Sequence, residues 1–277
     1  MARNFLSVSF LPIDRHEVVM DRGTLLGLFL GLALLGVAIG LGPNPMIFLH
    51  GPSLIVVCGG IIASTLIRFP LANVRSAFDV ASRAFFTRAK SQPALVLELV
   101  GLSQRARREG LLALQKNIPE DPFMAQGIQM VIDRVDKNHI RDVLAADIHA
   151  THDRHSLGQE IFRFIAGAAP SFGMVGTLIG MVQLFASLKD PNGLGSAMAL
   201  SLLSTLWGAV IAYLFALPIS GKLELRAKEE AQNKQLILEG IMGIAAEMHP
   251  AQLEEQLNAF LAPTDKVRRH SAAVGRG

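Results

Sequence analysis

Apolar positions along this chain are gathered into runs. Thr24–Leu41 (TLLGLFLGLALLGVAIGL) contains no charge, and Pro52–Ile67 repeats the pattern over a shorter length. Far downstream, Ile165–Leu188 and Leu194–Ile219 do the same. A helix needs about 20 apolar residues to cross a hydrocarbon core, so the pattern predicts four membrane-spanning helices. The second run is marginal on length alone. The Gly- and Pro-containing Gly42–Gly51 predicts a tight hairpin that keeps it beside the first. Lys189, Asp190 and Pro191 lie in the short link between the last two runs. The expected class is all-α, a polytopic membrane protein with four transmembrane helices and a helical cytoplasmic domain.

The polar stretches give the remaining organisation. From Leu95, LVLELVGLSQRARREGLLALQ has apolar residues at helical spacing around a cationic turn, and Asn117–Pro122 breaks it. From Phe123 to Leu157, Ile128, Val131, Ile132, Val135, Ile140, Val143, Leu144 and Ile148 recur at three and four, which predicts one further helix. No proline interrupts 123–169, so that helix is expected to run directly into the third span. Gly221–Glu247 should continue the fourth span, and Pro250 should open a short last helix (AQLEEQLNAFL). Arg68, Arg75, Arg83, Arg88 and Lys90 follow the second run, and Lys222, Arg226 and Lys228 follow the fourth. Positive flanks stay inside, which predicts a cytoplasmic middle and cytoplasmic termini. The expected division is an N-terminal extension at 1–22, a membrane hairpin at 23–67 and a cytoplasmic domain at 68–164. A second hairpin follows at 165–219, a helical tail at 220–262 and a disordered end at 263–277. The first 19 residues read as a surface extension, or as an upstream start with Met20 the usual one.

Composition narrows the class further. Of 277 residues 51% are hydrophobic and 18% charged, against about 25% charged in an ordinary soluble domain. A single cysteine, Cys58, excludes an internal disulfide framework. The net charge of +3 is spread over scattered basic residues, so nucleic acid is not an expected partner. No glycine-rich phosphate loop, nucleophile elbow or Cys/His pair is present, so neither an enzyme nor a bound cofactor is expected. His149, His152 and His155 lie in a charged stretch and read as a solvated helix surface.

The decisive feature is that none of the four runs contains Asp, Glu, Lys or Arg. An ionisable side chain within the membrane is the usual mark of an ion path. If this chain conducts ions, the titrating carboxylate comes from another chain. The runs do hold small and weakly polar residues. Gly27, Gly31, Gly36 and Gly40 in the first, and Gly173, Gly176 and Gly180 in the third, permit close helix packing. Thr177, Ser204 and Thr205 offer hydroxyls, while Pro170 and Pro218 stand at the cytoplasmic ends of the last two runs. Each proline frees a backbone carbonyl and permits a bend.

PSFGMVGTLIGMVQLF (Pro170–Phe185) and AMALSLLSTLWGAVIAYLFALPISGKLELR (Ala197–Arg226) resemble the MotA/PomA family of flagellar motor stator subunits. MDRGTLLGL at Met20, SLIVVCGG at Ser53, ARREGLLALQ and DPFMAQGIQMVID extend the resemblance over about Met20–Ala262, on the PomA-like side. It implies an inner-membrane ion-conducting subunit that couples proton or sodium flow to torque, with no cofactor beyond the transported ion. Five copies would surround two copies of a MotB/PomB-type partner whose single membrane helix carries the essential Asp, and the pentamer would turn the rotor protein FliG. Thr177 and Thr205 match the family's ion-path hydroxyls, with Ser204 beside them, and Pro170 and Pro218 match its functional prolines. Arg107 matches its rotor-contacting arginine, with Arg108 and Glu109 adjacent. The family's acidic rotor-facing position is Gln115 here, and sodium-type relatives carry Asp where this chain has His50. An ExbB/TolQ-type energiser of outer-membrane transport is the alternative the same superfamily offers.

Overall fold

A computed structural model of the chain describes residues 22–86, 90–189 and 191–261. The expected N-terminal extension, the expected disordered end and Asp190 therefore lie outside the described residues, save for the edge of the first. The regular structure of the described residues is all helical. α1 (Arg22–Gly40) leads through a 3-10 turn (Pro45–Phe48) into α2, residues 51–68, which contains a π turn at Ile55–Gly59. Phe69, extended because Pro70 follows it, ends α2 and starts α3 (Leu71–Phe86). α4 (Gln92–Glu109) stops at Gly110, whose φ of 85° suits only glycine, and a 3-10 stretch (Leu111–Asn117) follows. α5 (Pro122–Ile132) begins where Asp121 accepts the Met124 amide at 2.9 Å.

α6 (Lys137–Ala186) is one helix of 50 residues, about 75 Å long at 1.5 Å per residue. α7 covers residues 191–245, with a π turn at Ile211–Ala216, and α8 (Pro250–Asn258) closes the fold. The expected uninterrupted helix over 123–157 is corrected here. Asp133 ends α5, Arg134 reverses the chain at φ 55°, and Asp136 caps α6 by accepting the amides of Asn138 and His139. The run into the third span, by contrast, is unbroken.

Among the described residues three stretches are long and apolar enough to cross a membrane: Pro45–Arg68, Lys137–Ala186 and Gly193–Ala245. α1 adds a shorter apolar helix, Leu26–Gly40. Within the first pair the expected lengths are thus reversed, because the turn at Pro45–Phe48 extends the second run.

The buried residues form three clusters strung along α6 and α7. At one end Val57, Ile61, Ala169 and Ala212 join α2, α6 and the π turn of α7. In the middle Phe69, Ala77, Ala81, Ile161, Phe162 and Leu223 dock α3. There Arg68 pairs with Glu160 at 2.7 Å and lies over the rings of Phe69 and Phe164. The largest cluster packs α4, α5 and α8 around the N-terminal part of α6 and the C-terminal part of α7, with Leu99, Met124, Ile128, Leu144, Ile241 and Leu253 at most 2% exposed. Between the last two clusters the helices are joined by charge. His155 meets Glu230 at 3.0 Å, and Lys234 donates to Asp147 at 3.0 Å and to Thr151 at 2.8 Å.

Candidate functional site

The small residues of α6 have a purpose in the geometry. A Cβ at Gly173 would lie 3.0 Å from the Ser204 carbonyl oxygen, and one at Gly208 only 2.6 Å from that of Ala169. At Gly176 it would overlap the Ser204 side chain, and at Gly180 it would lie 2.7 Å from the Ser201 amide nitrogen. The two helices are therefore in backbone contact from Ala169/Gly208 to Gly180/Ala197, which only glycine permits. Phe172 fills the space over Gly60 of α2, and Leu214 lies against Gly31 of α1. Nothing stands within 4 Å of Gly27, Gly36 or Gly40.

This antiparallel alignment sets the three candidate hydroxyls apart. Ser204 is fully buried and bonds the Leu200 carbonyl, so its side chain serves the α6–α7 contact. Thr177 is half-buried. Its hydroxyl donates to the Met174 carbonyl at 2.6 Å, and its own carbonyl accepts from Ser201 at 3.1 Å. Thr205, beside Gly173, is exposed, and its hydroxyl forms no hydrogen bond among the described residues. Thr177 and Thr205 thus stand about one helical turn apart on neighbouring helices, both reachable from outside the chain.

Pro170 lies inside α6, where the preceding Ala166, Gly167, Ala168 and Ala169 leave room for its ring. Pro218 follows the π turn at Ile211–Ala216, where the Leu217 amide donates to the Ala212 carbonyl five residues back, and Pro218 has no amide with which to continue the ladder. The wide π turn is a common accommodation of such a lost bond. On the N-terminal side of that turn, Trp207 donates its indole N–H to the Phe48 carbonyl at 2.9 Å, and His50 meets Ser53 at 2.8 Å.

The second candidate region is the opposite tip. Arg107, Arg108 and Glu109 occupy the exposed last turn of α4, and Gln115 is exposed on the 3-10 stretch. Arg107 stands between two depressions. One, of about 530 Å³, includes Arg108, His249 and Glu254; the other, of about 710 Å³, includes Glu109, Arg134 and Glu247. Sequence reasoning missed Arg134 and Glu247. Their only signal was the chain reversal implied by Asp136 as a helix cap and by Pro250 soon after Glu247. Among the described residues no group of three or more His, Cys, Asp or Glu is placed to hold a metal.

Helices in backbone contact, hydroxyls in place of charges and a polar helical head describe a multi-pass channel subunit. Residues 115–236 match the MotA/TolQ/ExbB proton channel family. The chain is 35% identical to chemotaxis protein PomA of Vibrio alginolyticus, over 87% of this chain and 96% of that one. It is 32% identical to motility protein A of Treponema pallidum, over 90% and 96%. A chain of the flagellar MotAB stator complex from Bacillus subtilis superposes with a TM-score of 0.80 at 26% identity, over 90% of this chain and 99% of that one. The chain belongs to the MotA/TolQ/ExbB proton channel family. Within it, it is of the MotA/PomA type, the ion-channel subunit of a flagellar motor stator.

Proposed function

We propose that this chain forms the wall of a cation path completed by a MotB/PomB-type partner, whose single membrane helix supplies the Asp that the apolar runs lack. The observation that carries the reading is that Thr24–Leu41, Pro52–Ile67, Ile165–Leu188 and Leu194–Ile219 contain no Asp, Glu, Lys or Arg. A conducting chain without an intramembrane carboxylate needs a second chain. Thr177 and Thr205 flank the path and offer oxygen to a passing proton carrier or sodium ion; Pro170 and Pro218 mark where the helices flex. Four helices span the inner membrane, with both termini and the helical head in the cytoplasm. Five copies enclose two partner chains, and Arg107, Arg108 and Glu109, with Gln115 nearby, meet the rotor protein FliG.

One charge crossing 100 mV releases about 2.3 kcal/mol. Exposed ion pairs are worth about 0–1 kcal/mol, so rotor contacts of that kind form and release within a step. A buried pair would cost about 3–5 kcal/mol to break and would stall it. The extended likeness to a flagellar stator chain, together with the apolar α1 helix, favours this over an ExbB/TolQ-type energiser. The test uses cells lacking both chains. Swimming should return only when this chain and its Asp-bearing partner are supplied together, and Asp→Asn in the partner should abolish it. Full swimming with this chain alone would sink the reading.

A further inference from the structure

Among the described residues every backbone position with positive φ lies around one cavity. Gly110 (φ 85°), Arg134 (φ 55°) and Glu247 (φ 54°) follow the ends of α4, α5 and α7, and all three line the depression of about 710 Å³ beside Arg107. Arg134 and Glu247 hold equivalent positions in two helix stops of the same kind. The Arg134 amide donates to the Val131 carbonyl and the Val135 amide to that of Met130, both at 3.1 Å. The Glu247 amide donates to the Ile244 carbonyl and the Met248 amide to that of Gly243, both at 3.0 Å. Glycine is the usual residue at such a stop, because a side chain is disfavoured at positive φ. Here the two stops carry an arginine and a glutamate, both exposed.

Arg134 and Glu247 share the cavity with Arg107 and Glu109, and none of the four forms an ion pair among the described residues. Leu112, 72% exposed, stands at the same cavity with Ile132 and Ile244. Two unpaired cations and two unpaired anions around an apolar hollow match a partner surface bearing both signs around an apolar side chain. Strain retained at an exposed site is characteristic of function.

We propose that Arg134 and Glu247 act with Arg107 and Glu109 as one recognition quartet, which holds a rotor-protein surface bearing both signs of charge around an apolar side chain seated against Leu112. This rests on the rotor-contact reading above and adds two residues and an apolar socket to it. The experiment uses the full chain with its partner in cells lacking native copies. Arg134→Gly and Glu247→Gly, singly and together, should hold or raise the thermal midpoint of the purified complex, because glycine relieves the backbone. The double variant should bind the rotor protein about 3–10-fold more weakly and lower swimming torque. A lowered midpoint would show that the two side chains serve the fold, and a held midpoint with unchanged torque would show that they serve nothing at the rotor; either overturns the proposal. A change in subunit number would assign the surface to a second copy of the chain and would also overturn it. Arg107→Glu with Arg108→Glu runs in parallel. Torque lost there but kept in the glycine variants defeats the quartet alone, while torque kept in both defeats the rotor-contact reading as well.

Discussion

At Gly208 the missing side chain is a structural requirement, since a Cβ there would press on the Ala169 carbonyl oxygen and lie 3.2 Å from the Gly173 Cα. Backbone cannot swing aside as a flexible side chain can. Gly208→Ala should therefore cost about 1–3 kcal/mol through forced separation of α6 and α7. Gly36→Ala, with nothing within 4 Å, should change the isolated subunit by no more than about 0.5 kcal/mol. Thermal midpoints of the two purified variants check the contrast; equal losses would show that the close approach is not what requires Gly208. The spacing of Gly173, Gly176 and Gly180 was legible in the sequence as a packing stripe, although Gly36 and Gly40 share the interval and meet nothing within 4 Å. Which way Ser204 and Thr205 face was not. A helix that is apolar all round carries no periodic sign of its rotation, and only the contact with Gly176 turns Ser204 inward.

Helices α6 and α7 run together from the candidate membrane region to the head, and the pair is fastened midway by charged side chains. The hydrogen bond from His155 holds the Glu230 carboxyl below the usual carboxylate range, assisted by the charges of His155, Lys234 and Arg154 and opposed by burial. A carboxylate with a depressed folded pKa adds stability above its unfolded pKa and loses it as pH falls through the folded one. Glu230→Gln should thus lower the midpoint at pH 7. Because Glu230 is 42% exposed, solvent screening limits the effect to about 1 kcal/mol. The gap between variant and parent should narrow as pH falls below the ordinary glutamate range of about 4; a gap that persists undiminished below that range would contradict the assignment. Long helices were easy to read in the sequence, but the break at Asp133–Asp136 was not. The three-and-four spacing lapses only once there, with Val135 and Ile140 five apart, and the reversal falls on an arginine in place of the glycine that would have announced it. The same substitution hid Arg134 and Glu247 from the candidate site, whereas Arg107 was found by resemblance.

Taken whole, the molecule places apolar surface at one end and charge at the other, and the proposed orientation can be read with one reagent. In a Cys58→Ala background, cysteine at Met46, which is 72% exposed, should react with a membrane-impermeant maleimide on intact cells. Cysteine at Gln115 should react only after permeabilisation. The opposite pattern would invert the topology. The same architecture governs how the protein is made. The cluster that buries Leu99, Met124 and Leu144 is completed by Leu236, Ile241, Leu253 and Leu257 near the far end of the chain, and the membrane runs of α6 and α7 are synthesised in between. A ribosome adding about 5–20 residues per second needs roughly 5–20 s to cross that interval. Throughout it, the apolar faces of α4 and α5 wait without their final partners. Closing the head then waits on synthesis of the last long helix, so a chain that stops before it leaves the faces of Leu99, Met124 and Leu144 open to chaperones and proteases.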